Sequence, residues 1–310
     1  MLSAYDKLTR GYTIFSTDVD QVVEDILSCN SEVSWSKNEE IALGSVSWRP
    51  NAVSFDGSRL LYVAGSIGLP SYVKERLRLA VENDVRPVIA LTISALWQQD
   101  VMALLLELDS DVVVLDTGID GSLLKACSVF EAVVDNNLLV PGEVRRRVVE
   151  IVWDLLHSGS PQAKGARLEG VLAFVFSQIP ELSVTDSNYR NETEEIDLVL
   201  QVRDSGSGIG LLADKPLLLV EAKNRKDKAD QQVISVLMSK LETKRDSAKI
   251  GIVVSLSGFT ADARNHELRY SASHQGRCVV MIDDMQLKAL FVEDNPSRAF
   301  EKLLREALIR

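Results

Sequence analysis

Two apolar runs in the second half of this 310-residue chain carry carboxylates where a buried strand ordinarily has none. In EEIDLVLQV (194–202), period-two alternation puts Ile196, Leu198, Leu200 and Val202 on one face and Asp197 on the other. In PLLLVEAKN (216–224) the run ends in Glu221 and Lys223, and a spacing of two places both side chains on one face of a strand. If the two strands pair through the intervening loop, Asp197 and Glu221 meet at one end of a sheet. Carboxylates brought together repel and are driven toward protonation unless a cation joins them, so the pair points to Mg²⁺ or Mn²⁺. Lys223 would then orient or help deprotonate an attacking water and stabilise charge developing on phosphorus.

Other polar residues gather around this pair in the sequence. Glu169 lies on an apolar helix, ARLEGVLAFVFSQI, with the small residues Gly165, Ala166 and Ala173 about a turn away, and is expected to face the site. After the second strand, NRKDKADQQ supplies Arg225, Lys226 and Lys228 as an edge for phosphate contacts, and Gln231 and Gln232 open the next helix. The order is thus Glu on a helix, Asp on a strand, Glu-x-Lys on the next strand, then a Gln-bearing helix. It resembles the PD-(D/E)xK nuclease superfamily, and within it the Mrr-like restriction endonucleases, through KGARLEGVLAFVFSQIPELSV, EEIDLVL, LLLVEAKNR and GIVVSLSGFTADA. The resemblance covers about residues 165–284.

It implies a restriction-endonuclease-like αβββαβ core around a mixed sheet, with Asp197 and Glu221 ligating the metal and Lys223 catalytic. It also implies that Glu169 assists and that Gln232 or Gln231 contributes from the following helix. One departure is Ile196, which stands where the superfamily's proline would precede the aspartate. The activity implied is Mg²⁺-dependent endonucleolytic hydrolysis of DNA in a restriction or antiviral setting. An RNA substrate, or a silent module that only holds nucleic acid or a partner, also fits the residues.

The length suggests two domains, read as 1–140 and 141–310, both of α/β type. The net charge of −11 is divided unevenly between them. Residues 1–140 hold 10 Lys and Arg against 20 Asp and Glu, leaving 24 against 25 for the remainder, so the half with the nuclease-like order is nearly neutral. The acidic first half disfavours a polyanion and is expected to act as a sensor, an oligomerisation element or a docking site for a protein partner. Within it, Asp56-Gly57 in AVSFDGSRLLYVAG marks a hairpin, a helix follows Pro70, and strands are expected at VRPVIALT and at DVVVLD, ending at Asp116, around a helix at ALWQQDVMALLLEL. In the second half a helix begins at Pro141 with Val144, Val148, Ile151, Val152 and Leu155 on one stripe. HSGSPQAKG (157–165) is expected to be a hinge or loop between the halves.

Several features carry bland readings. Cys29, Cys127 and Cys278 are odd in number and lack metal-binding spacing, which fits reduced thiols in the cytoplasm. The N-terminus, MLSAYDKLTRGYTIFSTDVD, does not resemble a secretion signal, and no apolar run has the length of a membrane span. DSGSGIG (204–210) is expected to be a flexible connection leading to a strand. His157, His266 and His274, and the run Arg145–Arg147, are expected to be solvated.

Overall fold

The computed structural model describes residues 16–29, 33–64, 69–108, 110–115, 127–190, 195–244, 247–273 and 277–309. The N-terminal segment through Phe15, the strand end at Asp116 and His274 therefore lie outside the described residues. The chain divides into two compact units, Met1–Asn136 and Asn137–Arg310.

The first unit contains α1 (Ser16–Cys29), β1 (Trp35–Lys37), β2 (Ile41–Leu43), β3 (Val46–Trp48), β4 (Ala52–Ser54), β5 (Arg59–Val63), α2 (Ser71–Glu82), β6 (Arg86–Leu91), α3 (Ile93–Leu96), α4 (Gln99–Glu107), β7 (Asp111–Val114) and α5 (Val129–Asp135). A sheet of order β1-β4-β5-β6-β7 forms its centre, antiparallel from β1 to β5 and parallel from β5 to β7. The Asp56-Gly57 turn does close the β4–β5 hairpin. Gly57 supplies φ +69°, and the Asp56 carboxylate accepts from the Ser54 hydroxyl, the Ser58 hydroxyl and the Ser58 amide. The helix expected across ALWQQDVMALLLEL is two helices, because Gln98 adopts an extended ψ of 124° and caps α4.

The second unit contains α6 (Gly142–His157), α7 (Pro161–Ser177), β8 (Leu182–Arg190), β9 (Glu195–Val202), α8 (Gly208–Ala213), β10 (Leu217–Lys223), α9 (Gln231–Thr243), β11 (Ala248–Ser255), α10 (Ala261–Ser273), β12 (Cys278–Asp283), α11 (Asp284–Val292) and α12 (Pro296–Ile309). Its sheet runs β12-β11-β10-β9-β8, with β8, β9 and β10 antiparallel and β10, β11 and β12 parallel. The order of elements and the mixed sheet fit the restriction-endonuclease-like αβββαβ core expected for this half. On one side, Leu219 and Val253 pack beneath Ile234, Leu237 and Leu241 of α9 and Ala263 and Tyr270 of α10. Gly251 in the interior strand β11 permits that approach: a Cβ there would lie 2.6 Å from a methyl carbon of Leu237. Among the described residues no helix is long and apolar enough to cross a membrane.

Five expectations for this unit change. Residues 157–165 are no hinge between halves: Ser160 caps α7 by accepting from the Ala163 amide, Pro161 takes the first turn, and Gly165 lies inside the helix. DSGSGIG leads into the short helix α8 rather than a strand. Ser207 accepts from the Gly210 amide, and Gly210 lies so close to the Asp204 carbonyl that a Cβ would meet it at 2.2 Å. Arg145 is not solvated but 5% exposed, donating to the carbonyls of Phe291 (2.8 Å), Val140 and Glu293. It thereby satisfies the end of α11, whose last turn holds no basic residue. The α6 stripe accordingly runs through Val144, Arg145, Val148, Val149, Val152 and Leu156, while Ile151 and Leu155 are only partly buried. Finally, His266 is half-buried, its Nε2 sharing a 2.8 Å hydrogen bond with Ser235 of α9, whereas His157 stays exposed.

Candidate active site

Strand pairing builds the site. The β9–β10 ladder runs from Leu217 opposite Gln201 to Val220 opposite Leu198, and one further step along the same register sets Glu221 opposite Asp197. The Ala222 amide completes the step by donating to Asp197 Oδ2 at 2.6 Å. Both acids are buried, Asp197 at 9% and Glu221 at 7% exposure. Burial, then the neighbouring Glu221 charge, pushes the Asp197 carboxyl up to about 6 against the opposing pull of the Ala222 amide and Lys223.

Lys223 extends along the Glu221 face of β10 and its Nζ lies 2.6 Å from Glu221 Oε1. Glu169, on α7, which packs over β8, β9 and β10, is half-buried, and its charge also raises the Asp197 carboxyl. The expected helix residue therefore lies within electrostatic reach of the strand pair.

At the end of β10 the chain is held from two directions. Asn224 Nδ2 donates to the carbonyls of Leu156 (2.8 Å) and Lys164 (3.0 Å), tying the strand to the α6–α7 corner. Ala229 exchanges backbone hydrogen bonds with Gly258 (2.9 Å) and Thr260 (3.0 Å) in the loop after β11, and Ser257 Oγ donates to the Arg225 carbonyl. Arg225, Lys226 and Lys228 project from this braced loop into solvent, and among the described residues none forms an ion pair. Gln231 and Gln232 are exposed at the start of α9. The Gln232 amide donates to Asp230 (3.0 Å), but its side chain makes no hydrogen bond among the described residues.

One residue went unread in the sequence. Lys240, on α9, is 9% exposed, and its Nζ lies 2.7 Å from Glu221 Oε2 while also donating to the Glu195 carbonyl. The available signal was a charge on an apolar stripe, since Ile234, Leu237, Met238 and Leu241 are the buried positions around it. Asn224 gave no comparable signal.

Asp197 and Glu221 offer hard oxygen donors, and a cation between them would offset both the burial and the neighbouring Glu221 charge that raise Asp197, so the pair suits Mg²⁺ or Mn²⁺ chemically. Both oxygens of Glu221 are engaged by ammonium groups, and among the described residues no group of three or more His, Cys, Asp or Glu is arranged to hold an ion. Residues 163–291 match the family model for restriction endonucleases of the Mrr catalytic type, a stretch that includes Glu169, Asp197, Glu221, Lys223 and Lys240. No curated protein and no solved structure matches the chain.

Proposed function

We propose that the second unit is a divalent-cation-dependent endonuclease that hydrolyses phosphodiester bonds of DNA. The observation that carries this reading is the meeting of Asp197, Glu221 and Lys223 at one strand end, beside a braced loop bearing three cations that form no ion pair among the described residues. Asp197 and Glu221 would hold the ion, which when bound supplies Lewis acidity toward a phosphoryl oxygen. Lys223 Nζ brings a fixed positive charge to the phosphorus as negative charge accumulates on it. Arg225, Lys226 and Lys228 grip the phosphate backbone, Glu169 orients groups at the site, and Gln232 reaches the substrate from the head of α9. The chain works in the cytoplasm in a restriction or antiviral setting, and residues 1–140 serve sensing, oligomerisation or partner docking, as their charge fits.

A second reading is a module that holds nucleic acid without cutting it, favoured by the engagement of both Glu221 oxygens by lysines. The decisive experiment incubates the purified chain with plasmid, linear and single-stranded DNA and with RNA, in Mg²⁺, Mn²⁺ or chelator. Ion-dependent nicking of DNA, absent in Asp197→Ala, supports the nuclease. Binding without cleavage in either ion supports the silent module, and cleavage of RNA alone replaces the substrate.

A further inference from the structure

Glu221 is contacted by two ammonium groups, of which the Glu-x-Lys motif accounts for only one. Lys223 takes Oε1 at 2.6 Å, and Lys240 reaches from α9 to take Oε2 at 2.7 Å. Packing alone does not call for a charge at 240. The position lies on the stripe that buries Ile234, Leu237, Met238 and Leu241, where an unbranched apolar side chain would fill the space. A buried ammonium is costly unless its partners are good, so its presence needs a reason in those partners. They are the Glu221 carboxylate and the carbonyl of Glu195, the first residue of β9. Lys240 thus fastens the start of the strand carrying Asp197 to the end of the strand carrying Glu221.

We propose that Lys240 is a positioning residue that serves as the counter-ion of Glu221 Oε2 while no divalent ion is bound and surrenders that oxygen when one arrives. The inference rests on the metal reading given above and adds its regulation. Without Lys240, Asp197 and Glu221 would face each other with Lys223 as the sole close cation among the described residues, and the carboxylates would push apart. With it, the acids are held at ligating positions before the ion enters. The anchor on the Glu195 carbonyl keeps the ammonium solvated by protein after Oε2 is released, so exchange does not strand it. Such a placeholder has a signature opposite to that of a ligand-supporting group: its charge competes with the ion, so removing it tightens metal binding even as it loosens the metal-free fold.

The test uses the full chain, with Mn²⁺ affinity measured by calorimetry and thermal melting followed in chelator and in Mn²⁺. Lys240→Met is expected to bind Mn²⁺ at least about tenfold more tightly, since a unit charge a few ångströms from the ion is removed. Its melting temperature should fall in chelator and recover in Mn²⁺ by more than that of the wild type. Lys240→Arg, which keeps the charge, should bind as the wild type does. If Lys240→Met does not fold, Lys240→Gln gives the same comparison with a polar head. Unchanged or weaker Mn²⁺ affinity in the neutral variants, with binding intact in the wild type, overturns the placeholder role alone. Absence of Mn²⁺ binding in the wild type removes the metal reading and this inference together.

Discussion

Replacing Asp197 by asparagine is expected to stabilise the metal-free protein while abolishing its activity. The carboxyl is 9% exposed and its pKa is pushed from 3.8 to about 6, chiefly by burial and then by Glu221. A folded pKa above the unfolded one means that the folded chain holds an extra proton between roughly pH 4 and pH 6. The associated stability is complete below the unfolded value and is lost as pH rises through the folded one. By pH 7.5 an ionised Asp197 therefore costs the fold about 3 kcal/mol relative to a neutral side chain of the same shape, at 1.36 kcal/mol per pKa unit. Asparagine keeps the oxygen that accepts from the Ala222 amide and can turn its own amide toward Glu221, so about 1–3 kcal/mol should be recovered. Two-unit chains need not unfold in one step. The measurement is therefore urea unfolding in chelator read by pulse hydrogen exchange of peptides spanning Glu195–Val202 and Leu217–Lys223, which reports this sheet alone. The gain should be present at pH 7.5 and absent at pH 4. An asparagine variant less stable than the wild type at pH 7.5, or a gain of equal size at both pH values, would refute the electrostatic account.

Four other substitutions separate chemistry from support. Lys223→Met should fold and lose at least about a hundredfold in cleavage rate, read on supercoiled plasmid, since it removes one strong electrostatic contributor; cleavage at the wild-type rate would be incompatible with its role. Glu169→Gln should slow cleavage about ten- to a hundredfold while retaining most Mn²⁺ affinity, as befits a group that orients others; calorimetry showing a loss equal to that of Glu221→Gln would make it a direct ligand. Arg145→Met should cost about 2–4 kcal/mol in urea unfolding by leaving the Phe291, Val140 and Glu293 carbonyls without their donor, with the residual rate per folded molecule unchanged. Gly251→Ala should destabilise the same unit by about 1–3 kcal/mol through its clash with Leu237, and trimming the obstacle in Gly251→Ala/Leu237→Ala should return little net loss beyond Leu237→Ala itself.

The residues of the strand pair were readable because a carboxylate inside an apolar run breaks a pattern, and their register follows once β9 and β10 are neighbours. The strand read in EEIDLVLQV is β9, Glu195–Val202, for that reason. The second half of β8, up to Arg190, is not legible in the sequence: TDSNYR lacks alternation, and its pairing with β9 is what makes it a strand. Arg145 was read as solvated because burial of a guanidinium depends on carbonyls some 146 and 148 positions away, at Phe291 and Glu293. Lys240 was missed for a related reason. A lysine on an apolar stripe gains its meaning only when α9 is laid across β10, and that placement is a tertiary fact.

The hydrogen bond from the Ala222 amide to Asp197 has a consequence for how this site can change over generations. Its donor is main chain, so every residue at 222 except proline supplies it, and drift there alters local shape without withdrawing the contact. Lys223, Lys240 and Asn224 enjoy no such shelter, since each acts through a side chain that one codon change removes. A lineage that lost Lys223, Lys240 or Asn224 would therefore keep Asp197, for as long as that side chain stands, tethered to β10 through the main chain.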